Sequence, residues 1–129
     1  MKKEIYQKWL ERVKYDIDTA EAMYSTGRYI YAIFMCQQAI EKSLKALLVF
    51  KGIEIIPVHN LRRLAEASGV INELDKSDLK KIDFLSQYYF NARYKEDIEE
   101  LAAQITEDMV KEFVDFSKEK IKWITQKIR

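Results

Sequence analysis

Residues 29–51, YIYAIFMCQQAIEKSLKALLVFK, decide the fold. Ile30, Ile33, Phe34, Ile40, Leu44, Leu47 and Leu48 recur every three or four positions, the spacing that lines up side chains on one face of an α-helix. From Ala46 to Phe50 the pattern is apolar on nearly every side, which predicts the most buried helix of the molecule. Gly27 and Gly52 bracket it, each placed where positive φ closes a helix. Upstream, Ile5, Trp9, Val13, Ile17, Ala20 and Tyr24 form a second stripe, predicting a helix over roughly residues 4 to 26.

Downstream, Pro57 blocks helix between Gly52 and His59. Leu61, Leu64 and Ala65 share one face of a short helix over about 60–68, which Gly69 stops. Leu79, Ile82, Leu85 and Tyr89 predict the next helix, capped by Asp75 or Ser77 and ending near Asn91. The last helix starts between Lys95 and Ala102 and carries Leu101, Ile105, Met109, Phe113, Phe116, Ile121, Ile124 and Ile128. No strand pattern competes. Four long amphipathic helices with short links predict an all-α fold, an up-and-down antiparallel four-helix bundle with one additional short helix.

At 129 residues and 48% hydrophobic composition the chain furnishes one core, so a single domain over 1–129 is expected. Twenty-two basic side chains nearly cancel 21 acidic ones, leaving +1. Net charge therefore points to neither nucleic acid nor membrane. Cys36 cannot form an internal disulfide and reads as a small buried apolar residue, which suits a reducing cytoplasm. The start, Met1-Lys2-Lys3-Glu4-Ile5, lacks the apolar core of a signal peptide, and no run of about 18 apolar residues occurs. A cytoplasmic protein that does not span a membrane is expected. No Gly-rich phosphate loop, paired metal-ligand histidines or nucleophile elbow is present, so neither cofactor nor metal is expected.

Several motifs then occur in a telling order: Trp9 and Asp16; Gly27-Arg28-Tyr29; Gln37-Gln38-Ala39-Ile40-Glu41-Lys42-Ser43-Leu44-Lys45-Ala46-Leu47-Leu48; Gly52; His59-Asn60-Leu61; and Tyr88-Tyr89-Phe90-Asn91-Ala92-Arg93-Tyr94. Together they resemble the HEPN domain family over nearly the whole chain. The resemblance implies a helical bundle that commonly forms a homodimer. It also implies a gene beside, or fused to, a minimal nucleotidyltransferase, sometimes as a toxin–antitoxin pair. Many members are metal-independent ribonucleases that use an Arg followed four to six residues later by His, the two copies meeting at the dimer interface to cut RNA through its 2′-hydroxyl. Here the places after Arg93 hold Asp97, Ile98 and Glu99, and the only histidine is His59.

Metal-free RNA cleavage needs a group that shuttles a proton near neutral pH, usually histidine. A carboxylate at Asp97 or Glu99 serves only if burial raises its pKa by about 2–3 units. Helix parity places His59 and Arg93 at opposite ends of the bundle, on the order of 25–30 Å apart. The expectation is thus a nucleotide-binding or partner subunit without ribonuclease activity. The alternative is a ribonuclease toxin that uses Arg93 with a carboxylate base.

The candidate ligand-binding residues are Arg28, Tyr29, Gln38, Lys42, Lys45, Tyr89, Arg93 and Tyr94. Tyr24, Tyr29, Tyr31 and Phe34 cluster at one helix junction, and Tyr88, Tyr89, Phe90 and Tyr94 at another. Parity puts both junctions at the same end, where Arg28, Arg93 and Lys95 add charge to stack a base and grip a phosphate. The plainer reading of these tyrosines is core capping and dimer contact. Gln38, Lys42 and Lys45 share a face that either binds a phosphate or a partner's carboxylate, or is simply solvated or used within the bundle. Glu41 and Lys45 form an i,i+4 pair worth a few tenths of a kcal/mol on an exposed helix. His59 reads as a helix-start residue beside the Asn60 cap.

Overall fold

The computed structural model describes residues 2–91 and 95–128, and the side chains of all of these except 2, 3, 90, 91, 95–98 and 101. Among the described residues six α-helices follow one another: α1 (Lys2–Ser25), α2 (Tyr29–Phe50), α3 (Leu61–Ala67), α4 (Lys76–Asn91), α5 (Lys95–Gln104) and α6 (Glu107–Gln126). A 3-10 turn at Ile71–Glu73 joins α3 to α4. No strand occurs among the described residues. None of their helices is long and apolar enough to cross a membrane.

The stripes read from the sequence become the core except at the start of α1, where Ile5 is exposed and Trp9 only half-buried. Val13, Ile17 and Ala20 of α1 face Ile33, Ile40, Leu44, Leu47 and Leu48 of α2, all nearly inaccessible to solvent. Each such Val, Ile or Leu side chain contributes about 1.5–3 kcal/mol through burial. Neighbouring helices alternate in direction. Tyr6 of α1 meets Phe50 of α2 edge-on, and Tyr24 lies against Tyr29 at the other end. On α4 and α6, Phe84 stacks on Phe113 and Asp78 pairs with Lys120, again antiparallel. Helix α2 touches every other helix, so it is the central element.

Local chemistry sets the ends. Gly27 has φ 77° and closes α1; a Cβ there would meet no neighbouring atom, so a substitution costs backbone strain alone. Asn60 accepts from the Arg63 amide at 3.0 Å and starts α3. At the head of α4, Asp75 accepts from the amide of Asp78, and Asp78 reaches back to the amide of Asp75.

Two expectations are corrected. The final apolar stripe is split between α5 and α6, because Thr106 leaves the helical region (φ −101°, ψ 160°) and its hydroxyl accepts from the Met109 amide. Glu107 and Asp108 then complement the dipole of α6. Ile105 is buried through the break, so the apolar rhythm carries on and conceals it.

The second correction concerns residues 51–60, which do not stay at the lower end of α2. They run back along it until His59 Nδ1 lies 3.1 Å from Glu41, about 13 Å along the axis from Phe50. Extended chain covers that distance readily at about 3.3 Å per residue. The return is fastened by the Arg62–Asp83 fork (3.1 and 2.8 Å) and by Ser86 Oγ, which accepts from the Leu61 amide at 3.0 Å.

Candidate functional site

Helix α2 carries an unusual line of polar side chains through its buried middle. Gln37, Glu41 and Lys45 stand at i, i+4 and i+8 and are 0%, 4% and 7% exposed. Charges so deep in a bundle persist only when paired and hydrogen-bonded, and Glu41 meets that condition with three donors. Its Oε1 accepts from Gln37 Nε2 at 2.9 Å and its Oε2 from Lys45 Nζ at 2.9 Å. Both oxygens lie 3.1 Å from His59 Nδ1. Gln37 Nε2 also donates to the His59 carbonyl at 3.1 Å, and Gln37 Oε1 accepts from Gln38 Nε2 at 2.7 Å.

The His59 ring is therefore held at both its backbone and its Nδ1. A carboxylate against Nδ1 makes that nitrogen the proton-bearing one and leaves Nε2 as an acceptor in the neutral ring. Nε2 has no hydrogen-bond partner among the described residues, and the side chain is 37% exposed. Its face stacks on Tyr89 of α4, with ring centroids 3.7 Å apart and planes 20° from parallel. Tyr89 in turn lies 6.4 Å from Phe34 of α2. The result is a half-open stack of three rings with a fixed imidazole at its rim.

This geometry removes the premise of the separation expected between His59 and Arg93, because it brings His59 to the Tyr88–Tyr94 element. His59 packs on the second residue of that element. Parity failed because it treated residues 51–60 as a cap on the end of α2 when they return along its side. Arg93 and Tyr94 themselves lie outside the described residues, as does the side chain of Asp97. Glu99 is exposed, so it lacks the burial that a carboxylate base requires.

The other candidates separate. Lys45 points inward to Glu41, whereas Lys42 turns to α1 and pairs with Asp16, itself 5% exposed. Gln38 is half-buried beside Gln37. Of the shared face of Gln38, Lys42 and Lys45, only Lys42 thus reaches another helix, while Gln38 and Lys45 bond within α2. Arg28 is exposed at the start of α2. Beside it the half-buried Tyr29 hydroxyl is held above the usual phenol range, chiefly by desolvation and further by Glu107 and Tyr24. Phe34 stacking on Tyr89 brings the two aromatic junctions to the same end, as the helix parity implied. Sequence reasoning missed Glu41 and Gln37 as site residues and gave His59 only a capping role. The signal was the i, i+4, i+8 spacing of an amide, an acid and a base inside the most apolar helix.

Cys36 stands apart from this chemistry. Burial pushes its thiol up to about 12, offset only in part by the Ser117 hydroxyl beside it. In the unfolded chain the thiol ionises near pH 8.5–9, so the folded state holds a proton that the unfolded state has lost. Stability accordingly falls as pH rises from about 9 toward 12. A disulfide reagent at pH 8 is expected to leave native Cys36 unmodified and to react fully in denaturant. Rapid labelling of the folded protein would contradict the burial.

Taken together, the molecule is an antiparallel helical bundle whose central helix carries a buried Gln–Glu–Lys line that fixes a histidine against an aromatic stack. The comparisons with known proteins name the class. The HEPN domain model matches residues 6–128, and the chain belongs to the HEPN family. Among solved structures it is similar to ST0689, an archaeal HEPN homologue, at 26% identity and a TM-score of 0.76, covering 96% of this chain and 98% of that one. TT1696 from Thermus thermophilus shares the fold at a TM-score of 0.80 with 22% identity, covering 95% and 97%. None of the curated proteins matches the chain.

Proposed function

We propose that this HEPN protein is a nucleotide-binding subunit that works with a minimal nucleotidyltransferase, as in toxin–antitoxin pairs, and that the ligand sits on the His59–Tyr89 face. The observation that carries the reading is the buried Glu41 holding His59 against Tyr89 with Nε2 outward. Such a face suits a base, because every nucleobase stacks on an aromatic ring. The imidazole edge supplies one directed hydrogen bond, accepting when neutral and donating to phosphate when protonated. Arg28 lies at the aromatic end of α2, where an exposed guanidinium suits a phosphate. Family resemblance supports the nucleotidyltransferase partner. Calorimetric titration with ATP is expected to show one nucleotide per chain, and gel filtration a complex with a nucleotidyltransferase encoded beside the gene. No heat and no complex would defeat the proposal.

The same observation favours a second reading, a metal-independent ribonuclease in which His59 takes the place of the missing motif histidine. A carboxylate-backed imidazole with a free Nε2 is the arrangement that accepts a proton from a hydroxyl nucleophile. The 2′-hydroxyl of RNA is such a nucleophile. Cleavage of transfer RNA in EDTA that disappears in His59→Ala would select this reading. Intact RNA after prolonged incubation removes it.

A further inference from the structure

Gln37 has spent nearly all of its hydrogen-bonding capacity inside the bundle. Its amide nitrogen carries two hydrogens; Glu41 Oε1 takes one at 2.9 Å and the His59 carbonyl the other at 3.1 Å. Both partners are acceptors, so the amide is locked in one orientation: turning it over would set Oε1 against a carboxylate oxygen and a carbonyl oxygen. Oε1 therefore faces away from them, on a side chain that is 0% exposed and out of reach of bulk water. Its donor is Nε2 of the half-buried Gln38, at 2.7 Å. The hydrogen bonds thus run in one direction, Gln38 to Gln37 to Glu41, and bonds in such a chain polarise one another. Among the described residues, every hydrogen bond between residues 54–60 and α2 is made by His59, through its carbonyl to Gln37 and through Nδ1 to Glu41.

We infer that Gln38 is a positioning residue for His59. Among the described residues it supplies the only donor to the buried Gln37 Oε1. It thereby holds the Gln37 amide, and Gln37 holds both the backbone of His59 and the carboxylate against which the imidazole is set. Without that donor a buried acceptor is left unpaired, which costs enough to draw the Gln37 side chain toward another partner. The His59 carbonyl then loses its tie to α2, and the ring keeps only its contact with Glu41. An acceptor at position 38 does more harm than an apolar side chain, because no orientation of Gln37 satisfies acceptors on both of its sides. Gln38 needs no contact with a ligand, since its amide is already engaged with Gln37. The expected effect on affinity rests on the nucleotide reading, whereas the placement of the ring stands without it.

Changing the hydrogen-bonding character of position 38 tests this role. Gln38→Lys keeps a donor, Gln38→Leu offers neither donor nor acceptor, and Gln38→Glu at neutral pH offers acceptors alone. His59 is the only histidine, and its ring centroid lies 3.7 Å from that of Tyr89, whose ring current displaces the imidazole proton resonances upfield. Those resonances report the position of the ring in the full chain with no ligand added. Gln38→Lys is expected to keep the displacement, and Gln38→Leu and Gln38→Glu to lose most of it. ATP affinity should fall about tenfold in Gln38→Glu and stay near wild type in Gln38→Lys. If Gln38→Glu does not fold, Gln38→Leu set against Gln38→Lys decides in the same way. A displacement unchanged in Gln38→Leu, or lost equally in Gln38→Lys, would overturn the inference, because the donor would then not be what places the ring. A wild type that binds no ATP yet shows the donor-dependent displacement would remove the nucleotide reading and support the positioning role.

Discussion

Glu41→Ala is expected to lower the unfolding free energy by about 3–5 kcal/mol, the usual cost of breaking a buried ion pair from one side. The substitution strands the Lys45 ammonium, whose side chain is only 9% exposed, and releases both Gln37 Nε2 and His59 Nδ1. A domain of this size has about 5–15 kcal/mol in total, so the loss is a large share of it. Urea denaturation followed by tryptophan fluorescence measures it. Removing both charges together, as Glu41→Leu with Lys45→Met, should recover most of the stability, since a buried pair is often replaceable by apolar side chains. It should not recover ligand binding, because His59 has then lost its anchor. A single-variant loss below about 1 kcal/mol would mean that the pair behaves as a surface contact and that the interior line does not hold the site.

The second large effect falls on binding. Tyr89→Ala removes the ring on which His59 rests, and stacked bases are worth about 1–3 kcal/mol each. ATP affinity is therefore expected to drop roughly 5- to 150-fold. Tyr89→Phe keeps the ring and should remain close to wild type. Equal losses in both variants would shift the contribution from the ring to the hydroxyl. Unchanged affinity in Tyr89→Ala would move the nucleotide away from this face.

Much of the fold was legible because helical periodicity and glycine punctuation are local signals. The ends of α1, α2 and α4 fall within a few residues of the positions that the stripes and Gly27, Gly52 and Asn91 indicate. The break at Thr106 was not legible, since Ile105 keeps the apolar rhythm across it. The site was legible in composition and illegible in arrangement. Gln38, Lys42, Lys45 and Tyr89 stand out by type, but Lys42 finds Asp16 on α1 and Lys45 finds Glu41 inside the bundle. Glu41 and Lys45 have the spacing of an ordinary surface pair, and burial makes them far more consequential. His59 was misplaced because a ten-residue link carries no periodicity to say whether it caps a helix or returns along it. Its position follows only from tertiary contacts with Glu41 and Tyr89.

His59 is the only histidine, so its ring nitrogens give a single unambiguous pair of nitrogen-15 resonances. A long-range nitrogen–proton spectrum of the neutral imidazole, recorded with and without ATP, probes the Glu41–His59–Tyr89 face directly. The expected result is the tautomer protonated at Nδ1, with the Nε2 resonance moving as ATP is added and the preference lost in the Glu41→Leu, Lys45→Met double variant. A ring protonated at Nε2, or an Nε2 resonance unmoved at saturating ATP, would contradict it.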